Sequence, residues 1–263
     1  MSAPPTSGPA PRARRAAPAL LIALLAAALA GCAAGTMPAV HSEAERLSLG
    51  RQALANKQYN IAVELLKGYV QNNAGGAEVD HAIELLGEAY LKLREWTDAQ
   101  AQFERVTRDF PESDSAGSAA WRLGEAMWGQ SRGPDFDQEN TRKALAQWQT
   151  YLRDYPGHWA NALAQARVAQ ARTRLADQYV DHARLYLKNG ILGPARMWFQ
   201  RTIDEYGDTP RRADAELGLA TVMAKQGHRS DALAALRAVE TQYPGTATAH
   251  EAAEQRHHLE HDD

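Results

Sequence analysis

The stretch Asp80–Pro111, DHAIELLGEAYLKLREWTDAQAQFERVTRDFP, decides the fold. Its first half sets Ile83, Leu86, Gly87 and Tyr90 at i, i+3, i+4 and i+7, one face of a helix. A polar break follows at Lys92–Glu95. The second half then sets Ala99, Phe103, Val106 and Phe110 on one face of another helix. Pro111 stops that helix, because proline has no amide hydrogen and restricts the residue before it. Gly87 and Ala99 are small where the two backbones would approach most closely. Trp96 is expected to wedge the turn, with Tyr90 and Phe103 filling the space between the helices. Such a hairpin cannot bury both its faces alone, so further copies should lie beside it.

The copies are present. Leu86, Gly87, Tyr90, Trp96, Ala99, Phe103 and Pro111 together resemble the tetratricopeptide repeat, a helix–turn–helix unit of about 34 residues. Upstream, Gly50, Tyr59, Ala62 and Leu66 follow the same pattern. Downstream it returns in Leu123, Gly124, Ala144, Trp148 and Pro156, in Tyr186, Gly190, Ala195 and Phe199, and in Gly227, Ala232, Leu236 and Pro244. The key alanines at 62, 99, 144, 195 and 232 stand 37, 45, 51 and 37 residues apart, so two repeats carry extra length. The expected class is all-α, a solenoid of about five helical hairpins with one long bridging helix.

Composition supports a single solenoid. Strand signals are nearly absent, and the lone cysteine rules out an internal disulfide. The chain of 263 residues has a formal charge of −3. The first 31 residues hold three arginines and no acid, which leaves −6 on the rest. That sign argues against a nucleic-acid partner.

Residues 1–31 read as a secretory signal. Arg12, Arg14 and Arg15 form a basic start, and Leu20–Ala30 is an apolar core too short to span a bilayer core of about 30 Å as a helix. Leu29-Ala30-Gly31-Cys32 resembles the lipobox of bacterial lipoproteins. The resemblance implies cleavage before Cys32, then a diacylglycerol on its thiol and an acyl chain such as palmitate on its new amino group. Several acyl chains give lasting anchorage where one does not. Ala33 follows Cys32, which by the same resemblance points to the outer membrane and its periplasmic face. Residues 32–41 are then lipidated cysteine and tether.

Ser42 and Glu45 form a candidate capping box for a helix over roughly 42–56, followed by one over 59–72. In the third repeat, Ser131–Asp137 inserts about eight residues between the two helices. Asp137 is read as the N-cap of the second; Asp135 and Asp137 lack the further acids a calcium loop requires. Trp159–Lys188 is unbroken, a rod of about 45 Å that should bridge repeats three and four. Asn189-Gly190 ends it. Thr246–Leu259 reads as a polar capping helix. His250, His257, His258 and His261 cluster in the tail, where a metal site is the alternative to the favoured reading, a solvated, frayed end. By this reading, 42–156 and 157–245 are the N- and C-terminal repeat halves and 246–263 the cap and tail.

The order of lipobox, five repeats, an insert carrying Asp137, Gln138 and Thr141, a long helix with Ala183–Lys188, and Ile203–Pro210 after it is similar to the BamD family. These are lipoproteins of the β-barrel assembly machinery. Departures are the missing proline after repeat one, Gly207 in place of proline, and Leu192 in place of an aromatic. The resemblance implies a non-enzymatic scaffold. Its N-terminal repeats would engage unfolded outer-membrane proteins, and its C-terminal repeats the POTRA domains of a BamA-like insertase, alongside other lipoproteins of the machinery. The alternative is a periplasmic tetratricopeptide lipoprotein that coordinates peptidoglycan synthesis or cell division. Such proteins usually have about three repeats and often a coiled-coil arm, so five repeats, lipobox and long helix favour the assembly factor.

Two surfaces follow from repeat position. Trp121 and Trp128, with Glu125 between them, are expected to face a peptide groove, walled by His81, Glu84 and Leu91. In the competing arrangement the insert folds back and covers both tryptophans. Arg196, Trp198 and Arg201 could meet an acidic partner domain, against the alternative of a solvated helix with one partly packed tryptophan. No nucleophile elbow, zinc-protease motif or phosphate-cradling glycine loop occurs, so no catalytic residue is assigned and no cofactor is expected beyond the lipid on Cys32.

Overall fold

A computed structural model describes residues 37–261; Cys32 and the signal segment lie outside the described residues. Among the described residues there are eleven helices and no strand. They pair as five hairpins and a cap. The first hairpin is α1 (Glu43–Ala55) and α2 (Tyr59–Asn72), the second α3 (Val79–Leu93) and α4 (Trp96–Asp109). The third is α5 (Ser115–Gly129) and α6 (Glu139–Asp154), the fourth α7 (Asn161–Lys188) and α8 (Leu192–Tyr206). The fifth is α9 (Arg211–Lys225) and α10 (Arg229–Gln242), and α11 (Ala247–His261) closes the row.

The register is set by one small residue and one large residue per second helix. Ala62, Ala99, Ala144, Ala195 and Ala232 are all fully buried. Four residues on, Leu66, Phe103, Trp148, Phe199 and Leu236 are no more than 1% exposed. Each large side chain needs a flat wall on the first helix. A Cβ on Gly50 would lie 2.9 Å from Leu66, one on Gly87 2.7 Å from Phe103, and one on Gly124 2.2 Å from Trp148. In the fourth and fifth hairpins the corresponding residues are Ala183 and Ala220, also fully buried. Phe199 additionally reaches Gly218 of the next hairpin. Interiors pack at crystal-like density, so this size pairing fixes which helix faces meet.

The turns repeat as well. Two residues before the second helix, Lys57, Arg94, Gly190 and Gly227 adopt left-handed backbone, with φ of 60°, 62°, 73° and 83°. The third hairpin replaces this turn with its insert. Ser42 Oγ accepts the Glu45 amide at 3.1 Å, as a capping box requires, but Glu45 returns to the His41 amide at 2.7 Å rather than to that of Ser42.

Several local expectations are corrected. Trp96 does not wedge its own turn; it packs across onto Gly129 of α5, where a Cβ would meet the indole at 2.5 Å. Helix α6 begins one residue later than an Asp137 cap implies: Gln138 is the N-cap residue, while Asp137 accepts the Glu139 amide at 3.1 Å. The carboxy-terminal histidines do not fray, since α11 is helical through His261 and buries Ala249 and Ala252.

Helix α7 has 28 residues, about 42 Å at 1.5 Å each. Its first half packs Ala164 and Ala171 into the core of the third hairpin with Trp148 and Tyr151. Its second half gives Val180 and Ala183 to the core shared with Phe199 and Val222. One rod therefore bridges two cores.

Candidate functional site

The first helices of successive hairpins are neighbours, α1 with α3, α3 with α5, α7 with α9 and α9 with α11. Arg–carboxylate pairs stitch this row. Arg51 pairs with Glu78 at the start of α3. Arg122 of α5 reaches Glu84 at 2.6 Å and Glu88 at 3.2 Å on α3. Arg167 of α7 holds Glu125 of α5 in two bonds of 2.7 and 2.8 Å. Arg211 of α9 pairs with Asp177 and, at 2.9 Å, with Asp214. Arg184 also reaches Asp214, at 3.0 Å.

The centre of the row lies where α5, the insert and α7 meet. Trp128 is half-buried, and the Arg174 guanidinium stands 3.7 Å from its ring centroid, a cation–π contact. Arg174 also donates to Ser131 Oγ at 2.6 Å and to the Arg132 carbonyl at 3.5 Å. Among the described residues no carboxylate lies within ion-pair distance of it. Burial above all holds its pKa below the ordinary guanidinium value, with Asp177 opposing and Arg167 adding to that shift. Below Trp128 an open hollow of about 470 Å³ is lined by Trp128, Ala169, Gln170, Thr173, Arg174, Asp177 and Pro210. The insert forms one wall of this region. Gln138 is fully buried and donates to the Gly133 and Phe136 carbonyls at 2.6 and 3.0 Å, while Gln178 of α7 donates to the same Phe136 carbonyl at 3.2 Å.

The structure separates the expected site residues. Trp121 is 7% exposed and lies against Trp148 and Tyr151, with ring centroids 6.1 and 6.2 Å away. It does not line an open groove. The reason is in the register: Trp121 and Trp128 are the i−3 and i+4 neighbours of Gly124, so they sit on the face that receives Trp148. Trp128 lies 5.8 Å from Trp148 and keeps one edge at the hollow. It is Arg174 of α7, tied to the insert, that covers its ring. Glu125 and Glu84 are already paired with Arg167 and Arg122. His81 is half-buried, 3.3 Å from Glu84, and Leu91 is partly exposed near the end of α3.

The second expected surface is also divided. Trp198 packs against Tyr179 and His182, at 4.9 and 5.0 Å. Arg201 stacks over Tyr179 and Trp198 and pairs with Glu205 at 2.8 Å. Only Arg196 stands exposed in solvent. Tyr179 donates to Glu205 at 2.9 Å, and burial first, then that hydrogen bond, pushes its phenol up to about 12. Sequence reasoning missed Arg167, Arg174 and Asp177. Their signal was available: 167, 170, 174 and 177 fall on one helical stripe, and three of the four residues carry charge.

Residues 41–229 match the YfiO family, described as outer membrane lipoprotein, and residues 214–246 match a tetratricopeptide repeat. A curated relative, outer membrane protein assembly factor BamD of Caulobacter vibrioides, is 25% identical over 205 residues, covering 75% of this chain and 67% of the relative. Among solved structures, the TPR2AB domain of yeast Sti1 in its pHSP90 complex covers 81% of this chain and 82% of its own, at 14% identity and a TM-score of 0.47. A TPR repeats protein from Bacteroides fragilis covers 84% of this chain and 100% of its own, at 13% identity and the same TM-score. With five stacked hairpins and the family pattern running from the first of them through α9, the first helix of the fifth, this chain belongs to the YfiO family of outer membrane lipoproteins.

Proposed function

We propose that the chain is a non-enzymatic scaffold that assists the assembly of outer-membrane proteins, held by lipid on Cys32 at the periplasmic face of the outer membrane. The observation that carries this reading is the family match over residues 41–229, joined to the relative named as an assembly factor. The architecture supports it. A row of first helices cross-linked by arginines offers a long, fixed surface, and Glu84, Glu88, Glu125 and Asp177 on it are spent on internal pairs. The client-binding surface is centred on the hollow at Trp128 and Arg174, in place of a groove carrying both tryptophans. It would take one apolar or aromatic side chain of an unfolded client beside the unpaired guanidinium. Helices α7 to α10, with exposed Arg196, would meet the POTRA domains of a BamA-like insertase.

The test is purification of the tagged chain from detergent-solubilised outer membranes. BamA in the eluate is the expected result; peptidoglycan synthases in its place support the alternative role and overturn this one. Cys32→Ser should leave the protein without bound acyl chains and release it from the membrane fraction. Trp128→Ala and Arg174→Ala should each weaken binding of peptides carrying aromatic residues by roughly tenfold, one well-formed contact of about 1.4 kcal/mol. Unchanged affinity would remove the hollow from the site.

A further inference from the structure

We infer that α11 carries a surface site for a borderline divalent transition-metal ion, built on His257 and His261. Because α11 is helical from Ala247 to His261, the carboxy-terminal histidines have a fixed geometry rather than that of a loose tail. His250, Glu251, Glu254, His257, His258 and His261 are all exposed, and helical periodicity gathers them on the face opposite the buried Ala249 and Ala252. His257 and His261 are one turn apart, with ring centroids 4.4 Å from each other.

Two histidines at i and i+4 on one helical face are the arrangement by which zinc-binding helices present a pair of imidazoles to one ion. With metal–nitrogen bonds of about 2.0–2.1 Å, two imidazoles on a tetrahedral ion place their centroids about 5 Å apart. The pair therefore needs side-chain rotation and no backbone movement. Among the described residues no group of three such ligands stands ready. The site accordingly has two protein ligands, with Glu254 one turn before His258 on the same stripe and water available for the remaining positions. Imidazole suits Zn(II), Cu(II) and Ni(II), and the lack of a cage of carboxylate oxygens disfavours calcium and magnesium. Neighbouring cations are neutralised: Arg256 is held by Glu240 at 2.7 Å and Glu260 at 2.9 Å, and Arg237 by Glu260 at 2.8 Å. No uncompensated positive charge faces the pair from those arginines.

The experiment is calorimetric titration of the full chain in detergent micelles with Zn(II) and with Cu(II) at pH 7.5, on wild type, His257→Ala, His261→Ala and His250→Ala. All three histidines are exposed, and unchanged helical content by circular dichroism confirms that each variant is folded. One equivalent should bind wild type and His250→Ala alike. His257→Ala and His261→Ala should each weaken binding at least tenfold. Binding should also raise hydrogen-exchange protection of α11 in wild type and in neither pair variant, since an ion that bridges two turns stabilises the helix it binds. No binding at 100 µM metal overturns the inference. So does equal weakening in all three variants, which would mark a diffuse stripe of chelating side chains.

Discussion

The size pairing between Gly124 and Trp148 can be tested with a single methyl group. In Gly124→Ala the new carbon would lie 2.2 Å from Trp148 Nε1, 2.5 Å from Cδ1 and 2.7 Å from Cε2, all far inside van der Waals contact. The indole cannot retreat cheaply. It is fully buried, with Trp121 and Trp128 on either side at 6.1 and 5.8 Å. Overpacking of this kind costs about 1–3 kcal/mol. Against it stands the better helix propensity of alanine, about 1 kcal/mol. Contacts this short favour the upper part of the range, so the net expectation is a loss of about 1–2 kcal/mol. Gly68 provides the control: it too lies inside a helix, α2, but a Cβ there meets only the flexible end of the Arg46 side chain, at 3.0 Å or more. Gly68→Ala should therefore stabilise by a few tenths to about 1 kcal/mol. Urea titration followed by circular dichroism and by tryptophan fluorescence reads both changes. A Trp148→Phe background should reduce the penalty of Gly124→Ala, giving a coupling energy of about 0.5–3 kcal/mol. If Gly124→Ala and Gly68→Ala shift stability in the same direction, the packing register is wrong.

Phe103→Ala should cost about 3–5 kcal/mol by opening a cavity beside Gly87, and Ala99→Leu about 1–3 kcal/mol by overpacking, both read in urea. Arg94→Gly should stabilise by roughly 1 kcal/mol, because Arg94, the C-cap of α3, holds φ at 62°, a left-handed conformation that glycine adopts without Cβ strain. Arg174→Ala should speed hydrogen exchange of residues 130–138 while leaving α1 to α4 unchanged, since Arg174 ties the insert to α7. His158, hydrogen-bonded to the Tyr151 hydroxyl at 2.6 Å, has its pKa lowered, by burial foremost and then by Arg122, with Glu84 opposing. The unfolded chain then takes up this proton first, near the ordinary histidine value of about 6.5. Stability should fall as pH drops below that value, until the folded imidazole is protonated too. Proton NMR of the His158 ring should show its midpoint below 6.5; a midpoint above it would overturn the assignment.

Sequence spacing determined the hairpins and their register. An alanine followed four residues later by a large apolar residue recurs five times, and each pair is buried as that pattern requires. The long helix, the insert and the cap were legible for the same reason: helix formation and termination are local, set by periodicity, proline and glycine over a few residues. Tertiary structure decided what each outward-looking side chain meets. Trp121 and Trp128 are read as groove-facing when only α5 is considered, but Gly124 turns that face toward Trp148. Glu84 and Glu125 count as free acids until Arg122 and Arg167 arrive from helices 38 and 42 residues away. Arg174 gains its place over Trp128 only because α7 runs past the third hairpin before entering the fourth. Spacing fixes the face of a helix, whereas the neighbour on that face depends on how two helices distant in sequence pack, and packing answers to the volumes and charges on both sides.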